Sequence, residues 1–479
     1  MSISLHNPSI FAVHFLVLPY YQSRSLTRLY ETQGMPENPY LTRVRTLSDR
    51  LVAIQKPIQI LDAIKWPNHI QETFFATGEK ELPKIDREFY KQQALSFDDQ
   101  KVYGELLELR RDIKRQLGNK DGLGRILLDT VDQYLVVIDM LRHRGEPLFG
   151  ESSIRLYGSA HEKLRGDRKT LREVGERLCA IFSSPAVEHL KRPYANDIPA
   201  CQAVDLLARK LHTYFNEGDI KVMLSNGIVS DAAAGGDTIK LNESAMFSEL
   251  DLQVLEVHEG WVHVGTTYNG RAQPYATWLG VGSPRITANQ EGLAVLMETL
   301  TFSSFPIRAR RISDRVTAVA MAEEGANFIE VYNHFREKGI SRHDSYRVTQ
   351  RVFRGGMVEG GAVFTKDISY VKGFVENVNF IKSAIESGVP EILPMMFVGK
   401  VTLDDIPILY QHYLEGTIAA PQYLPPMFRD LNGLFVWFGL SSGMSLVDMG
   451  SVKRHYRKLF DKLPKTAPLF EASADIEIN

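Results

Sequence analysis

The sequence predicts an α+β fold that is mostly helical, with one small antiparallel sheet near the middle of the chain. Apolar residues recur at spacings of three and four over most of the chain, which is the pattern of amphipathic helices. Residues 220–241 differ, because short β-branched runs there alternate with the turn pairs Ser225-Asn226 and Gly235-Gly236. With 479 residues, the chain has room for two or three domains or for one large unit.

The first 34 residues are predicted to be a loosely ordered N-terminal extension, with Met35 as a candidate natural start. Their apolar run from Ile10 to Tyr21 contains Pro19 and is too short to span a bilayer. No basic leader precedes this run, so we do not expect a secretory signal. Further along, the apolar stretch from Leu434 to Val447 contains serine and glycine and is predicted to be a pair of core helices.

Residues 35–150 are predicted to form a helical N-terminal region and residues 151–479 a second region, unless the two are one unit. The boundary is placed in the loop-rich stretch from Gly145 to Gly158. The helices predicted from apolar periodicity are Leu41–Ala63, Asp98–Leu117, Ile126–Leu141, Lys163–Phe182, Gln202–Phe215, Ile312–Phe335, Ser345–Phe353 and Ile368–Ser387.

Composition excludes several classes of protein. The formal net charge of −2 gives no basis for a nucleic-acid or anionic-membrane partner, and no membrane insertion is expected. Cys179 and Cys201 are the two cysteines, too few for a disulfide framework, and neither has metal-ligand spacing. They are typical of reduced thiols, so a cytoplasmic location is expected.

One stretch combines two imidazoles with a carboxylate: His258-Glu259, three intervening residues, and then His263. Zinc hydrolases hold their metal with two neutral imidazoles, and the glutamate next to the first one acts as general base. The common spacing is i, i+4, whereas here it is i, i+5, which separates the two side chains by roughly 140° on an ideal α-helix. A π-turn between the histidines, eased by Gly260, is therefore predicted.

The surroundings of this motif favour a helix. Ser248 and Asp251 form a predicted capping box, and Gly265 is a plausible helix stop, which gives a helix of about 16 residues. The predicted strands at 220–224, 227–233 and 238–241 precede it. In zinc peptidases, a strand in that place forms the cleft edge and pairs with the substrate backbone, although a plain hairpin is an equal alternative.

A second helix supplies the remaining candidate ligand. Thr287 and Gln290 are predicted to cap it, with Glu291 in its first turn and Glu298 seven residues later on the same apolar face. Because a bare buried carboxylate is costly, an inward Glu291 needs a cation, and we predict it as the third zinc ligand. Glu298 is predicted to form a hydrogen bond with one of the metal ligands and so to orient it. The alternative is an exposed Glu291 that is favoured by the helix dipole.

These residues together predict a zincin-like metallopeptidase core in residues 151–479, with one Zn²⁺ per chain and one open coordination position. Two other classes remain. One is a zinc-binding regulatory protein without hydrolytic activity, which would have no use for the base Glu259. The other is a helical scaffold without a metal, which would leave both Glu259 and Glu291 unexplained.

The helix that contains Glu291 also carries a family resemblance. Residues 290–294 read QEGLA, and the chain resembles the QEGLA-motif family, whose bacterial members are labelled flavohemoglobin expression-modulating proteins. Its animal members include the microtubule-associated tyrosine carboxypeptidases. The segments Arg351–Gly355 and Phe364–Asp367 also match, and the resemblance spans about residues 40–440.

This resemblance implies a zinc-dependent carboxypeptidase that acts on a peptide or protein C-terminus, with His258, His263 and Glu291 as ligands and Glu259 as base. It also suggests an aromatic final residue, but not the tubulin substrate of the animal members. Arg351, Arg354 and Lys366 lie in the matching segments and are candidates to bind the substrate carboxylate. For the oxyanion, Tyr370, Arg354 and Tyr268 carry suitable donors.

Overall fold

The computed structural model describes residues 38–184, 196–216, 220–226, 228 and 230–461. The predicted extension 1–34 and the chain end after Lys462 lie outside these residues. From Pro39 onward the chain forms one compact unit, which is predominantly helical with small sheets. Within the described part, no helix combines the length and the apolar character needed to cross a bilayer.

The described part of the chain before Lys221 is mainly helical, as predicted, although the predicted helix Lys163–Phe182 begins only at Leu171. The helices before the sheet are α1 (Pro39–Gln55), α2 (Ile60–Ala63), α3 (Asn68–Ala76), α4 (Arg87–Lys91), α5 (Asp99–Leu117), α6 (Gly122–Arg142), α7 (Pro147–Tyr157), α8 (Leu171–Phe182) and α9 (Ala200–His212). The boundary predicted near residue 150 falls inside α7, whose Phe149 is fully buried. Buried residues of α1, α5 and α6 belong to the same hydrophobic core as Val262 and Leu293 from the second predicted region.

Within the described residues, five strands form two small sheets. They are β1 (Ile198–Pro199), β2 (Lys221–Ser225), β3 (Ala232–Gly235), β4 (Thr238–Asn242) and β5 (Met246–Phe247). In the three-stranded sheet the order is β2-β4-β3, with β3 antiparallel to β4. The prediction of a wholly antiparallel sheet is wrong at one pair, because β2 and β4 run parallel with Val222 opposite Ile239. β1 and β5 pair antiparallel.

A single long helical segment follows β5. It consists of α10 (Glu249–Leu255), a π-helix (Glu256–Val264) and α11 (Gly265–Arg271). The predicted capping box is present, since Ser248 Oγ accepts a hydrogen bond from Asp251 N and the Asp251 carboxylate accepts one from Ser248 N. Gly265 does not end the helix as predicted, because its backbone stays helical and the chain continues into α11.

Nine further helices follow this segment in the described residues, and the first of them packs against the π-helix. They are α12 (Thr287–Leu300), α13 (Pro306–Glu323), α14 (Phe328–Glu337), α15 (Arg342–Phe353), α16 (Ser369–Glu386), α17 (Ile406–Leu414), α18 (Pro426–Arg429), α19 (Asn432–Met444) and α20 (Met449–Phe460). Short 3₁₀ helices occur at Thr277–Gly280, Pro284–Ile286, Thr365–Ile368, Pro390–Phe397 and Leu403–Asp405.

The prediction for residues 434–447 is also corrected. They form most of one helix, α19, followed by a turn, and not a buried helix pair. Of the apolar side chains on α19, Leu434 and Phe438 are buried, whereas Trp437 and Leu440 are more than half exposed. Apolar composition alone did not distinguish the two faces, because only the neighbouring elements decide which face is covered.

Helices α12 and α16 cross with almost no space between their backbones. A Cβ atom built on Gly292 would lie 1.9 Å from the carbonyl carbon of Gly373, and one built on Gly373 would lie 1.6 Å from the carbonyl oxygen of Ala288. Only glycine fits at this crossing, which explains the glycine of the QEGLA segment in physical terms. The crossing fixes α12, and therefore Glu291, relative to α16.

We expect Gly292→Ala to lower the free energy of unfolding by about 3 kcal/mol, since two backbones must move apart to admit the methyl group. Urea denaturation measures this change. Gly104→Ala on α5 is the matched control, because no atom lies within 4 Å of the added Cβ. Removing an interior helix glycine there should raise stability by about 0.5–1 kcal/mol. Equal stability of Gly292→Ala and the parent would contradict the close crossing.

Candidate metal centre

The π-helix places both histidines of the motif on one side. Its wider turn compensates for the extra residue between His258 and His263, so that their ring centroids lie 4.9 Å apart at an interplanar angle of 80°. The single predicted π-turn is in fact a π-helix of nine residues. Gly260 faces α9, where an added Cβ would meet Leu211 Cδ2 at 2.3 Å.

Glu291 lies opposite the two imidazoles, as the fifth residue of α12 and not in its first turn as predicted. Its Oε2 atom is 3.7 Å from His258 Nε2 and 3.8 Å from His263 Nε2. Each of the three residues offers one ligand atom, and these atoms all lie within 4.8 Å of one another. Metal–ligand bonds of about 2.0–2.1 Å at tetrahedral angles would separate neighbouring ligand atoms by roughly 3.3–3.4 Å, so the arrangement can hold a small cation after minor adjustment.

Glu298 orients His258 from behind. His258 Nδ1 donates a hydrogen bond of 2.6 Å to the fully buried Glu298, because an ionised carboxylate can only accept. This bond fixes the tautomer and turns Nε2 toward Glu291. Arg308 in α13 donates two further bonds of 2.6 Å to Glu298. Burial raises the pKa of Glu298, but the charges and hydrogen bonds of Arg308 and His258 together lower that pKa to about 2.

Gln290 and Lys400 hold the second histidine. Gln290 Oε1 lies 3.5 Å from His263 Nδ1 and accepts hydrogen bonds from Thr266 Oγ1 and Lys400 Nζ. Lys400 Nζ also donates to the carbonyl oxygen of His263 at 2.8 Å. Burial lowers the pKa of Lys400 to about 7. Gln290 therefore does not cap α12 as predicted, since no side chain caps this helix and its amide oxygen belongs to the site.

The predicted base, Glu259, faces the edge strand of the sheet. Its Oε2 atom accepts a hydrogen bond of 3.1 Å from the backbone N–H of Ala234 in β3. Burial by itself lowers the pKa of His258, but the hydrogen bonds with Glu291 and Glu298 and the charge of Glu259 raise it to about 10. The carboxylates around the imidazoles thus create a site that favours positive charge.

Two of the three predicted carboxylate-binding cations already have acidic partners. Arg351 donates two hydrogen bonds, of 2.6 and 2.7 Å, to the buried Asp367. Lys366 Nζ donates to Glu291 Oε1 at 3.0 Å. Burial opposes the charge of both cations, but these partners raise both pKa values. The positive charge of each of these two cations is therefore already paired with an acid.

Arg354 differs from both. Among the described residues, no carboxylate forms a hydrogen bond or ion pair with its guanidinium, and its buried Nε atom has no hydrogen-bond partner. The group lies over the ring of Phe364, 5.6 Å from the ring centroid. Burial and the neighbouring charge of Arg351 lower the pKa of Arg354 to about 10, so it remains a cation at neutral pH.

The two candidate tyrosines lie in different places. The Tyr370 ring, at the start of α16, stacks on the His258 ring at 6.5 Å and has the Arg315 guanidinium 4.4 Å from its centroid. The Tyr268 ring, in α11, packs with the rings of Phe215 and Tyr423. Tyr370 is therefore the tyrosine whose ring stacks on a histidine of the site.

Sequence reasoning missed three contributors to this site: Arg308, Lys400 and the Ala234 N–H. Each lies outside the two motif helices, and Lys400 is separated from His263 by 137 positions. A single lysine, an arginine in a basic helix and a backbone amide form no sequence motif that would identify them as part of a site. Their roles depend on chain segments that meet only in the folded structure.

Comparison with known proteins now adds to this geometry. A family model described as microtubule-associated tyrosine carboxypeptidase matches residues 72–445, which include every site residue described above. No curated protein matches the chain.

Neither of the two cysteines forms a disulfide bond, and Cys179 is buried whereas Cys201 is exposed.

Proposed function

The chain belongs to the microtubule-associated tyrosine carboxypeptidase family, and from that premise we propose that it is a zinc-dependent carboxypeptidase. The convergence of His258 Nε2, His263 Nε2 and Glu291 Oε2 beside Glu259 supports this proposal most directly. In this proposal the enzyme has a zincin-like core and removes the last residue, a tyrosine or another aromatic residue, from a peptide or protein C-terminus. We place it in the cytoplasm, where its free thiols would stay reduced.

Two imidazole nitrogens and one carboxylate oxygen are the ligand set of catalytic zinc sites, which leave one position open. Two features favour a bound divalent cation: Glu298 orients His258, and the carboxylates around His258 raise its pKa. When bound, zinc would supply Lewis-acid activation of a water molecule and of the scissile carbonyl group. His258, His263 and Glu291 would hold it.

Glu259 would act as the general base. Its carboxylate would accept a proton from the attacking water and later deliver it to the leaving amine. The neighbouring edge strand β3 would pair with the backbone of an extended substrate, since only one side of β3 is paired in its sheet. The Tyr370 hydroxyl would donate a hydrogen bond to the oxygen of the scissile carbonyl group.

Arg354 would bind the substrate's terminal carboxylate. A guanidinium can make two parallel hydrogen bonds to a carboxylate, and Arg354 is the candidate cation without an acidic partner among the described residues. Arg351 would position Asp367, and Lys366 would neutralise part of the charge of Glu291. This division of roles follows from which cations are already paired.

Elemental analysis tests the metal. We expect one zinc per chain after gentle purification with zinc in the buffer, and loss of that zinc in His263→Ala, because two remaining ligands hold a metal poorly. His69→Ala, at an exposed position of α3, is the control and should keep its zinc. Absence of metal in the parent protein would contradict the proposal.

Glu298→Gln tests the support behind His258. The amide keeps the size of the side chain but removes the charge that faces His258 and Arg308, so zinc affinity should weaken by about 10–100-fold. Competition with a chelator measures the affinity. Glu337→Gln, at the exposed end of α14, should bind zinc as the parent does. An unchanged affinity in Glu298→Gln would show that Glu298 does not support the metal site.

Peptide release tests the activity itself. A peptide that ends in a free tyrosine should lose that one residue, as seen by mass spectrometry, and lose it only when zinc is present. Internal fragments would indicate an endopeptidase instead. A protein that binds zinc but releases nothing from a library of peptides with varied C-termini would be the regulatory protein considered as the alternative.

A further inference from the structure

The C-terminal helices α19 and α20 expose an apolar surface that the proposed hydrolysis does not use. On α19, Val436, Leu440 and Met444 follow one another at intervals of four, beside Trp437, and all four side chains are more than half exposed. In the turn after α19, Leu446 is 90% exposed. Large exposed apolar patches are uncommon on soluble monomeric proteins and usually mark a binding site.

Helix α20 extends this surface and adds positive charge. Its apolar side chains Met449, Tyr456, Leu459 and Phe460 share one face and are all exposed, and none of its residues is buried. The helix also carries four cations and no acid: Lys453 lies on the apolar face, four residues after Met449, and Arg454, Arg457 and Lys458 lie beside and behind it. The net charge of −2 for the whole chain thus hides a local excess of positive charge.

We propose that this surface, formed by α19, the turn 445–448 and α20, binds peripherally to a membrane that carries anionic lipids. A short helix with an apolar aromatic face and a Lys/Arg face lies in the plane of the bilayer interface, with the apolar side chains among the acyl chains and the cations at the headgroups. This mode needs no spanning helix. The family model matches the chain up to residue 445, so α20 lies outside the matched part.

Charge favours this occupant over a second copy of the chain. A symmetric pair of α20 helices joined through their apolar faces would bring Lys453 and Arg457 of both copies together, which costs free energy, whereas anionic headgroups attract these cations. The packing of α19 against α16 connects the surface to the helix that carries Tyr370. Membrane binding through this surface would leave the chemistry of the site unchanged.

Vesicle co-sedimentation of the full chain tests the proposal. The chain should sediment with vesicles of equal parts phosphatidylcholine and phosphatidylglycerol and stay in solution with phosphatidylcholine alone. Replacing the four α20 cations by glutamine should weaken binding by at least about 100-fold. Trp437→Ser with Leu440→Ser should also abolish sedimentation, through the apolar contact. Release of tyrosine from a soluble peptide should be unchanged in both variants.

Two matched controls separate this surface from general effects. The first removes four exposed cations from α5 and so changes the net charge equally, at Lys101, Arg111, Lys114 and Arg115. The second replaces exposed leucines elsewhere by serine, at Leu61 and Leu107. Both controls should bind anionic vesicles as the parent does.

Three results would overturn the proposal. The first is no binding to either vesicle, and the second is equal binding to both. The third is a dimer in sedimentation velocity that Trp437→Ser with Leu440→Ser dissociates, without any vesicle binding, because a second copy would then be the occupant. Since soluble-peptide hydrolysis is measured separately, failure of this proposal is distinguishable from failure of the proposed enzyme activity.

Discussion

Replacing Glu259 with glutamine should leave one zinc bound per chain while lowering kcat for the release of a C-terminal tyrosine by at least about 100-fold. Glutamine matches glutamate in size, and its amide oxygen can still accept the hydrogen bond from Ala234 N. It cannot take a proton from water at neutral pH. The three candidate ligands are untouched, so metal binding and catalysis should separate in this variant. Zinc content and initial rates of tyrosine release measure the two effects.

Glu256→Gln is the control for this experiment. Glu256 lies in the same π-helix, one turn before Glu259, and its carboxylate is 3.7 Å from Lys210 Nζ, away from the histidines. This variant should keep both zinc and activity. A Glu259→Gln enzyme that works at the parent rate would show that another group is the base, whereas loss of zinc in it would assign Glu259 to metal binding.

Replacing Arg354 with glutamine should reduce kcat/KM for peptides with a free C-terminus by about 30-fold to several thousand-fold, which corresponds to about 2–5 kcal/mol for a desolvated charge pair. Amidation of the peptide's C-terminus should lower kcat/KM of the parent enzyme by a similar factor, because it removes the carboxylate that pairs with Arg354. The two changes together should then cost little more than either alone. Such non-additivity identifies a direct contact.

A control seven residues earlier, on α15, guards against a merely structural effect. Arg347→Gln removes an exposed arginine of α15 that pairs with Asp231 at the surface, and it should leave the preference for free C-termini intact. If Arg354→Gln lowers activity on free and amidated peptides equally, Arg354 supports the fold and does not contact the carboxylate. Equal cleavage of free and amidated peptides by the parent would exclude a carboxypeptidase.

Much of the site was predictable because its main elements are local. The spacing of His258 and His263 required a π-distortion, and the structure contains one. The Ser248–Asp251 cap is confirmed at the start of the helix. Spacing of seven places Glu291 and Glu298 on one face of α12, and both side chains reach His258. Backbone geometry over a few residues determines all of these features.

Other features depended on segments far apart in sequence. β2 pairs in parallel with β4, whereas local patterns predict successive antiparallel strands joined by tight turns. Gln290 matches the pattern of a capping residue, but a hydrogen bond from Lys400 shows that it belongs to the site. The apolar stretch of α19 is half covered because only one of its faces meets neighbouring helices.

The sequence by itself determined which groups are available for chemistry: two imidazoles and a glutamate next to the first, a third candidate ligand on the following helix, and three cations in the matching segments. Only the tertiary structure decided how these cations are used. Asp367 pairs with Arg351, and Glu291 pairs with Lys366, which leaves Arg354 without an acid among the described residues. The physical reason is that burying a charge costs free energy unless an opposite charge lies next to it. Packing between segments that are distant in sequence decides which charges become neighbours.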